Sequence, residues 1–380
     1  MATVYFLGAG ASASDGLPVT SDLNYGIAAF LCEAARDRHL AWFYEELYGV
    51  EHDELAPARD AWRAYLGDRE RRPDAPNPLP PLIETLSILD LALSEGRSLG
   101  VSNCREGKEL NVEALTIARQ ELSMALGTAI EEAMANYRTP LVHQLMRTVE
   151  LDDTLITTNW DTLLDRACTA EQRRKERALS GREEHLKRTN ISYGAVAERL
   201  VDHMGEDIEP APEGRRLLLK LHGSLNWFHC PCCGTLYTNV AGPWVIDPQN
   251  RRQNFDFCHC NSGLENLIVA PSFVKDYRNS HLQSVWQRAQ RALDDADRWV
   301  FIGYSLPMDD YHIRALLLRA LRANTQRKKK PPVVYLAVDD TDTRAKEQLA
   351  AYRSLFRETP IIPVPGRLPG WLAAAPLARG

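Results

Sequence analysis

An α/β protein built on a parallel sheet is the fold class this sequence predicts, and three observations predict it. Five short apolar runs rich in Val, Ile and Leu are spread over the 380 residues, each of strand length. Each run stops abruptly at a glycine or a polar motif. Helical patterns fill the intervals, as the crossovers of a parallel sheet require, and ligands of such sheets sit outside the carboxyl ends of the strands. Five polar motifs at five such ends would converge on one crevice, which predicts an active site before any motif is interpreted.

In chain order the first run is Thr3 to Leu7, ahead of Gly8-Ala9-Gly10-Ala11-Ser12. Thr154 to Thr158 then precedes Asn159-Trp160-Asp161, and Leu217 to Leu221 precedes His222-Gly223-Ser224. Trp299 to Ile302 runs into Gly303-Tyr304-Ser305-Leu306, and Val333 to Val338 into Asp339-Asp340. A sixth run, Leu267 to Ala270, is expected in or beside the same sheet. Between the first two strands, residues 22–150 read as a helical insertion, with helical patterns such as Asp22 to Leu47 and Val112 to Val149, the latter starting after Asn111 as a candidate cap. It is interrupted at Arg71 to Pro81, where prolines 73, 76, 78, 80 and 81 forbid regular helix and favour an extended surface loop. The charge-rich stretch Glu171 to Arg188 and the basic Gln326 to Lys330 read as solvated surface.

Composition narrows the function classes. With 45 Lys+Arg against 51 Asp+Glu the net charge is −6, and 44% hydrophobic with 25% charged residues is globular composition, not disorder. A mildly acidic chain offers no global attraction to nucleic acid or an anionic membrane, so neither partner is expected. No run approaches the ~20 apolar residues of a membrane span, and the first residues lack the basic and apolar regions of a leader. A cytoplasmic protein is expected. Five of the eight cysteines, Cys230, Cys232, Cys233, Cys258 and Cys260, fall within 31 residues, and such clustering suggests a metal rather than disulfides.

The glycine motif after the first strand has the form in which backbone approaches a pyrophosphate at a helix N-terminus, the alternative being a glycine turn with no ligand. A hydride-transfer enzyme would also carry an acidic residue at the end of a second strand about 20 residues on, and that region is helical here, which disfavours that class. Asn159, Asp161 and His222 are each ordinary as structural residues: a strand-end cap, a helix N-cap, a satisfied core histidine. Converging at strand ends, they form a set suited to catalysis, with His222 the natural general base because imidazole titrates near neutral pH. Ser305 suits a phosphate or ribose contact or a simple turn. Asp339 suits either an adenosine ribose or a cap on the residues just after it.

Together with Gly16-Leu17-Pro18, the set Gly8 to Ser12, Thr157-Thr158-Asn159-Trp160-Asp161, Lys220-Leu221-His222-Gly223-Ser224 and Gly303 to Leu306 resembles the Sir2 (sirtuin) superfamily in order and spacing. More narrowly, Thr157 to Asp161, Leu221 to Trp227 and Gly303 to Asp310 resemble the SIR2-like proteins of prokaryotic antiphage defence. The resemblance implies a Rossmann-like parallel sheet of the Sir2 type as a single domain over 1–380. It implies NAD+ hydrolysis to nicotinamide and ADP-ribose, with Asn159 orienting ribose or water and Asp161 the carboxamide. Gly8, Ala9, Gly10, Ser12, Thr158, Gly303, Ser305 and Asp339 are the expected NAD+ contacts. A homo-oligomer joined to a HerA-like ATPase is the implied assembly, with activation coming from another polypeptide or from self-assembly. The rivals are an NAD-dependent protein deacylase and a scaffold that senses NAD or ADP-ribose without cleaving it.

Three departures count against a deacylase. Val19-Thr20-Ser21 stands where Asp-Phe-Arg would follow Gly16-Leu17-Pro18, so the aromatic and cationic pieces of that loop are missing. Pro271 to Tyr277 replaces the segment that ends in Phe-Gly-Glu beside the acyl-lysine groove. The helical insertion could cover the crevice. Finally, Cys230 and Cys233 with Cys258 and Cys260 make a tetrahedral sulfur site in a ribbon over 228–262, where sirtuins carry structural Zn2+. The second half is C-x-C, so Cys232 or His259 stands as a possible substitute ligand.

Overall fold

The computed structural model describes residues 2–34, 38–68, 72–99, 110–135, 140–180, 188–196, 198–201, 207–210, 215–239, 257–269, 272–273, 275–308, 310–339, 341–357 and 359–374. Two compact units emerge: one made of residues 1–15, 138–242 and 277–380, the other of 16–137 and 243–276.

The strands in chain order are β1 (Thr3–Leu7), β2 (Thr154–Thr157), β3 (Arg188–Thr189), β4 (Ile191–Ser192), β5 (Glu198–Val201), β6 (Glu209–Pro210), β7 (Arg216–Lys220), β8 (Gly223–His229), β9 (Leu236–Asn239), β10 (Glu265–Ile268), β11 (Arg298–Ile302), β12 (Val333–Val338) and β13 (Ile361–Pro365). In the first unit seven of them form one sheet in the order β13-β12-β11-β1-β2-β7-β4. Every pairing in it is parallel. That explains the unbroken apolar runs: all five residues of β1 and all four of β2 are buried, as strands covered on both faces must be. Phe6, Trp299, Phe301, Tyr352 and Phe356 stack through the core at ring separations of 5.0–6.5 Å. A smaller set, β8, β9 and β5, pairs alongside, β8 with β9 antiparallel and β9 with β5 parallel.

Helices of this unit are α1 (Ala9–Ala13), α7 (Pro140–Thr148), α8 (Leu163–Ser180), α9 (Ser280–Asp295), α10 (Tyr311–Lys328), α11 (Asp342–Phe356) and α12 (Arg367–Ala374), with α2 to α6 in the other. The sheet order places the polar ends of β12, β11, β1, β2 and β7 side by side along one edge, in that order. All five sequence-predicted strands are therefore neighbours, and their motifs share an edge as expected.

The second unit holds α2 (Leu23–Glu33), α3 (His39–Tyr48), α4 (Ala56–Gly67), α5 (Leu82–Glu95) and α6 (Val112–Met134). Gly26 on α2 lets α6 come close: a Cβ there would lie 2.4 Å from the Cβ of Ala129. Glu121, fully buried in α6, accepts the Leu40 amide at 2.7 Å, satisfying one of the amides that the start of α3 leaves unpaired. Asn111 caps α6 as expected, its side chain accepting from the Ala114 amide at 2.9 Å.

Three stretches gain detail. The pattern from Asp22 to Leu47 is two helices, and that from Val112 to Val149 is also two, because Pro140 cannot continue a helix and disfavours helical backbone in the residue before it. Helix α7 packs within the sheet-bearing unit, against α8 and α12. The run at Leu267 contributes β10, which is not a strand of the seven-stranded sheet. Residues 72–81 carry neither helix nor strand, as their prolines dictate. Residues 240–256 of the expected ribbon and 181–187 of the charged segment lie outside the described residues.

Candidate active site

The loops after β1 and β2 are tied to each other by side chains. The Ser12 hydroxyl donates to Asp161 Oδ2 at 2.9 Å. The Asn159 amide nitrogen donates to Ser12 Oγ at 3.0 Å and to the Gly8 carbonyl at 3.2 Å. Thr157 Oγ1, at the end of β2, accepts the Asn159 backbone amide at 3.0 Å and turns the chain out of the strand. Four residues named from the sequence, Gly8, Ser12, Asn159 and Asp161, thus form one hydrogen-bonded group. Asp161 also accepts the Leu163 amide at 2.9 Å, so it starts α8 as well as meeting Ser12. Burial pushes its carboxyl above the ordinary carboxylate range; the nearby Lys220 cation, the Leu163 amide and the Ser12 hydroxyl pull it back only partly.

Beneath this group lies a network centred on Lys220, the last residue of β7. Lys220 is fully buried, and its ammonium donates to Asp165 Oδ2 at 2.9 Å, Ser224 Oγ at 2.6 Å and the Asp161 carbonyl at 2.7 Å. All three protons are used. Asp165 is satisfied in turn by the Tyr193 hydroxyl and by the Asn226 amide. Tyr193 is held well above its ordinary range, by burial first and then by the Asp165 charge, and so remains a donor. Lys220 and Asn226 stood in the sequence only as members of quoted motifs, with no role given to them, and Asp165 and Tyr193 were not singled out. The legible signal was a lysine closing an otherwise apolar strand, a residue that is almost never fully buried without a partner.

His222 sits two residues beyond Lys220, as Asn159 sits two beyond Thr157, and Thr157 and Lys220 are register partners. The two candidates therefore emerge at matching positions on adjacent strands, whose axes are about 4.8 Å apart. His222 Nε2 lies 3.9 Å from Asp310 Oδ1, and its ring is 6.1 Å from that of Tyr277.

The glycines have a use beyond ligand approach. A Cβ on Gly8 would lie 2.6 Å from the Gly303 carbonyl, one on Gly10 2.8 Å from Gly303 Cα, and one on Gly303 1.9 Å from the Ala11 nitrogen. Gly303 also has φ +67°, where glycine alone is comfortable. The Gly8 and Gly10 amides donate to the carbonyls of Ile302 and Gly303. The β1 and β11 loops therefore interlock through backbone, a packing demand on the glycines in addition to the approach of a phosphate expected from their motif. Ala9 is half-buried and Ser305 exposed on these loops, while the Thr158 amide donates to the Leu7 carbonyl at 3.3 Å.

Asp339 is not drawn into the group. Its carboxylate accepts from the Thr341 amide at 3.1 Å and from Arg367 at 2.6 Å. Burial raises it, but Thr341 and Arg367 outweigh burial and hold it below the ordinary range.

In the helical unit, the loop Gly16 to Asp22 acquires the cation that Val19-Thr20-Ser21 lacks. Arg72, from the proline-rich segment, donates to the Leu17 carbonyl at 3.0 Å and to Asp22 Oδ2 at 2.6 Å, and Asp22 in turn accepts the Val19 amide at 3.0 Å. Fifty residues separate the partners, so no local motif could announce the pairing.

The sulfurs of Cys230, Cys233, Cys258 and Cys260 all lie within 4.8 Å of one another, placed to hold a metal ion. A tetrahedral site with metal–sulfur bonds of about 2.3 Å spaces its sulfurs about 3.8 Å apart, so the donor set fits. Cys232 is exposed and outside the group, whereas His259 Nδ1 is 3.4 Å from the Cys258 sulfur. Among the described residues no helix is long and apolar enough to cross a membrane.

Solved structures with likeness to the chain include a Sir2 homologue in complex with NAD, at 15% identity and TM-score 0.42, covering 100% of this chain and 91% of that one. A variant Sir2 homologue in complex with ADP-ribose has 14% identity and TM-score 0.40, over 99% and 91%. A structure described under the mechanism and regulation of Sir2 enzymes has 14% identity and TM-score 0.40, over 99% and 92%. No curated protein matches the sequence. The model of the SIR2-like domain family matches residues 153–356, more than half of the chain and the stretch that carries Asn159, Asp161, His222 and Gly303, and the chain belongs to the SIR2-like family.

Proposed function

We propose that the chain is an NAD+ glycohydrolase that cleaves NAD+ to nicotinamide and ADP-ribose. The observation that carries this reading is the group Ser12, Asn159 and Asp161, closed by hydrogen bonds across the ends of β1 and β2, with His222 at the end of the adjacent β7. Breaking the nicotinamide to ribose bond passes through an oxocarbenium-like state, which is favoured by fixed polar groups in a site that excludes bulk water. The Asn159 nitrogen is committed to Ser12 and Gly8, which leaves its carbonyl oxygen to accept from a ribose hydroxyl or an attacking water. Asp161, steadied by Ser12 and Leu163, accepts from the nicotinamide carboxamide. His222 takes the proton of the ribose hydroxyl or of the water. Thr158, Ser305 and the Ala9 backbone complete the dinucleotide's binding surface. Water enters, nicotinamide leaves, and one proton is released per turnover.

Zn2+ is the metal we assign to the four cysteines, in a structural role, since four protein sulfurs leave no open position for substrate. By motif resemblance the activity serves NAD+ depletion in antiphage defence, in a cytoplasmic homo-oligomer partnered with a HerA-like ATPase.

The test is incubation of pure protein with NAD+, nicotinamide and ADP-ribose being followed by chromatography, with Asn159→Ala and His222→Ala alongside. Stoichiometric release that both substitutions abolish is the expected result. Turnover that survives both would overturn the assignment of residues. Consumption of acetyl-lysine peptide in step with NAD+, with O-acetyl-ADP-ribose appearing, would replace hydrolysis by deacylation.

A further inference from the structure

Asp310 precedes the first residue of α10 yet makes no capping hydrogen bond with its side chain, although that is the usual occupation of an aspartate there. The carboxylate is instead turned into the protein and is only 3% exposed. Its Oδ2 accepts the Tyr304 hydroxyl at 2.7 Å, and its Oδ1 stands 3.9 Å from His222 Nε2. Tyr304 comes from the loop after β11 and Asp310 from the start of α10, so two elements fix one carboxylate beside the imidazole. Aromatic rings gather near His222 as well. Tyr277 lies 6.1 Å from it and packs on Trp286 at 4.8 Å and on His312 at 4.6 Å, while Trp286 donates to the Leu221 carbonyl, one residue before His222.

We infer that Asp310 is a positioning residue for His222, fixing the tautomer with the proton on Nε2 and stabilising the imidazolium that forms when Nδ1 accepts a proton. The inference rests on the NAD+ glycohydrolase reading for the identity of the reaction, and on the geometry alone for the pairing. A nucleophile or water activated by a base that a third group orients is a recurring constellation, recognised by geometry rather than by sequence position. A separation of 3.9 Å is longer than a hydrogen bond, and such contacts commonly tighten when substrate is bound. Tyr304 keeps its proton, because burial first and then the Asp310 charge hold its hydroxyl far above the ordinary range, so it remains a donor that pins the carboxylate. Tyr277, raised by burial and by the same charge, stays neutral beside the imidazole. The titratable groups that the structure sets against His222 include Asp310, 3.9 Å away, and Tyr277, whose ring is 6.1 Å away.

The experiment uses the full chain and its Asp310→Asn and Tyr304→Phe variants, each checked for a cooperative melt. Nicotinamide release is measured against pH, and the imidazole titration of His222 is followed by NMR, with His222→Gln to assign its signal. For Asp310→Asn we expect kcat to fall about 10²–10⁴-fold with KM little changed. The acidic limb of the kcat/KM profile should move to lower pH, because removing the carboxylate makes the imidazolium easier to deprotonate. Tyr304→Phe, which leaves the charge but frees its orientation, should lower kcat less and leave the limb in place. An unchanged His222 titration in folded Asp310→Asn overturns the pairing, whether or not the protein turns over NAD+. A shifted titration without nicotinamide release from the wild type alone keeps the pairing, and release still absent when the activating partner is added overturns the glycohydrolase reading.

Discussion

Replacing Lys220 by methionine keeps the length and the apolar stem of the side chain and removes three hydrogen bonds at once, to Asp165, Ser224 and the Asp161 carbonyl. Both members of the ion pair are about 1% exposed, so the Asp165 charge would remain in the interior, held only by the Tyr193 hydroxyl and the Asn226 amide. Removing one partner of a buried pair costs about 3–5 kcal/mol, most of it the desolvation of the stranded charge. For a chain of this size that lowers the midpoint of thermal unfolding by roughly 5–15 °C. Guanidinium unfolding gives the free energy directly, and the double variant with Asp165→Asn supplies the control. Because that substitution discharges the stranded partner, the double variant should be more stable than the sum of the two single losses by at least about 2 kcal/mol. Activity should fall further than stability accounts for, since the Asp161 carbonyl loses its anchor and its carboxyl loses the cation that holds it down. A Lys220→Met protein within about 0.5 kcal/mol of wild type would refute the network.

Other expectations are as direct. Gly303→Ala places a Cβ 1.9 Å from the Ala11 nitrogen at φ +67°, so a loss of about 3 kcal/mol or more, with NAD+ turnover abolished, should appear in the same unfolding and chromatographic assays. Burial pushes Glu198 from its ordinary 4.5 to about 7, against the opposing pull of the Tyr193 amide, Arg215 and Thr238. The folded state then holds a proton that the unfolded state has lost, so this stabilisation is complete below pH 4.5 and vanishes as pH rises through about 7. A rise from 4.5 to about 7, at about 1.4 kcal/mol per pH unit, amounts to about 3 kcal/mol. Stability measured from pH 4.5 to 8 should fall by about that much in wild type and stay nearly flat in Glu198→Gln. The four-cysteine cluster should carry one Zn2+ per chain by elemental analysis, and Cys230→Ser should release it and lower the melting midpoint.

Burial decides how much of the molecule is legible in its sequence. A strand covered on both faces must be apolar throughout, so β1, β2, β7, β11 and β12 announced themselves, and their parallel pairing put Gly8, Asn159, His222 and Gly303 on one edge. Four apolar residues around Leu267 carried no such guarantee, because a short run does not say which sheet it joins. Pairings between distant residues were silent. Lys220 with Asp165, Arg72 with Asp22 and His222 with Asp310 are 55, 50 and 88 positions apart, and nothing in either local sequence names the partner. The packing use of Gly8 and Gly10 was silent for a related reason. A glycine reports that space is needed, and only the fold reveals that the Gly303 turn occupies much of it.

The central strand has a consequence for how the molecule is made. β1 leaves the ribosome ahead of both its neighbours, β2 and β11, and the contacts Thr3 to Asp153 and Ala2 to Asp297 span 150 and 295 residues. At about 5–20 residues per second, β1 waits some 15–60 s for its last partner. During that interval its apolar faces and both edges are bare, and a nascent-chain chaperone is the natural cover for them. The loop that seats Gly8 and Gly10 is completed only when Gly303 arrives, so a ribosome-bound fragment has no finished crevice.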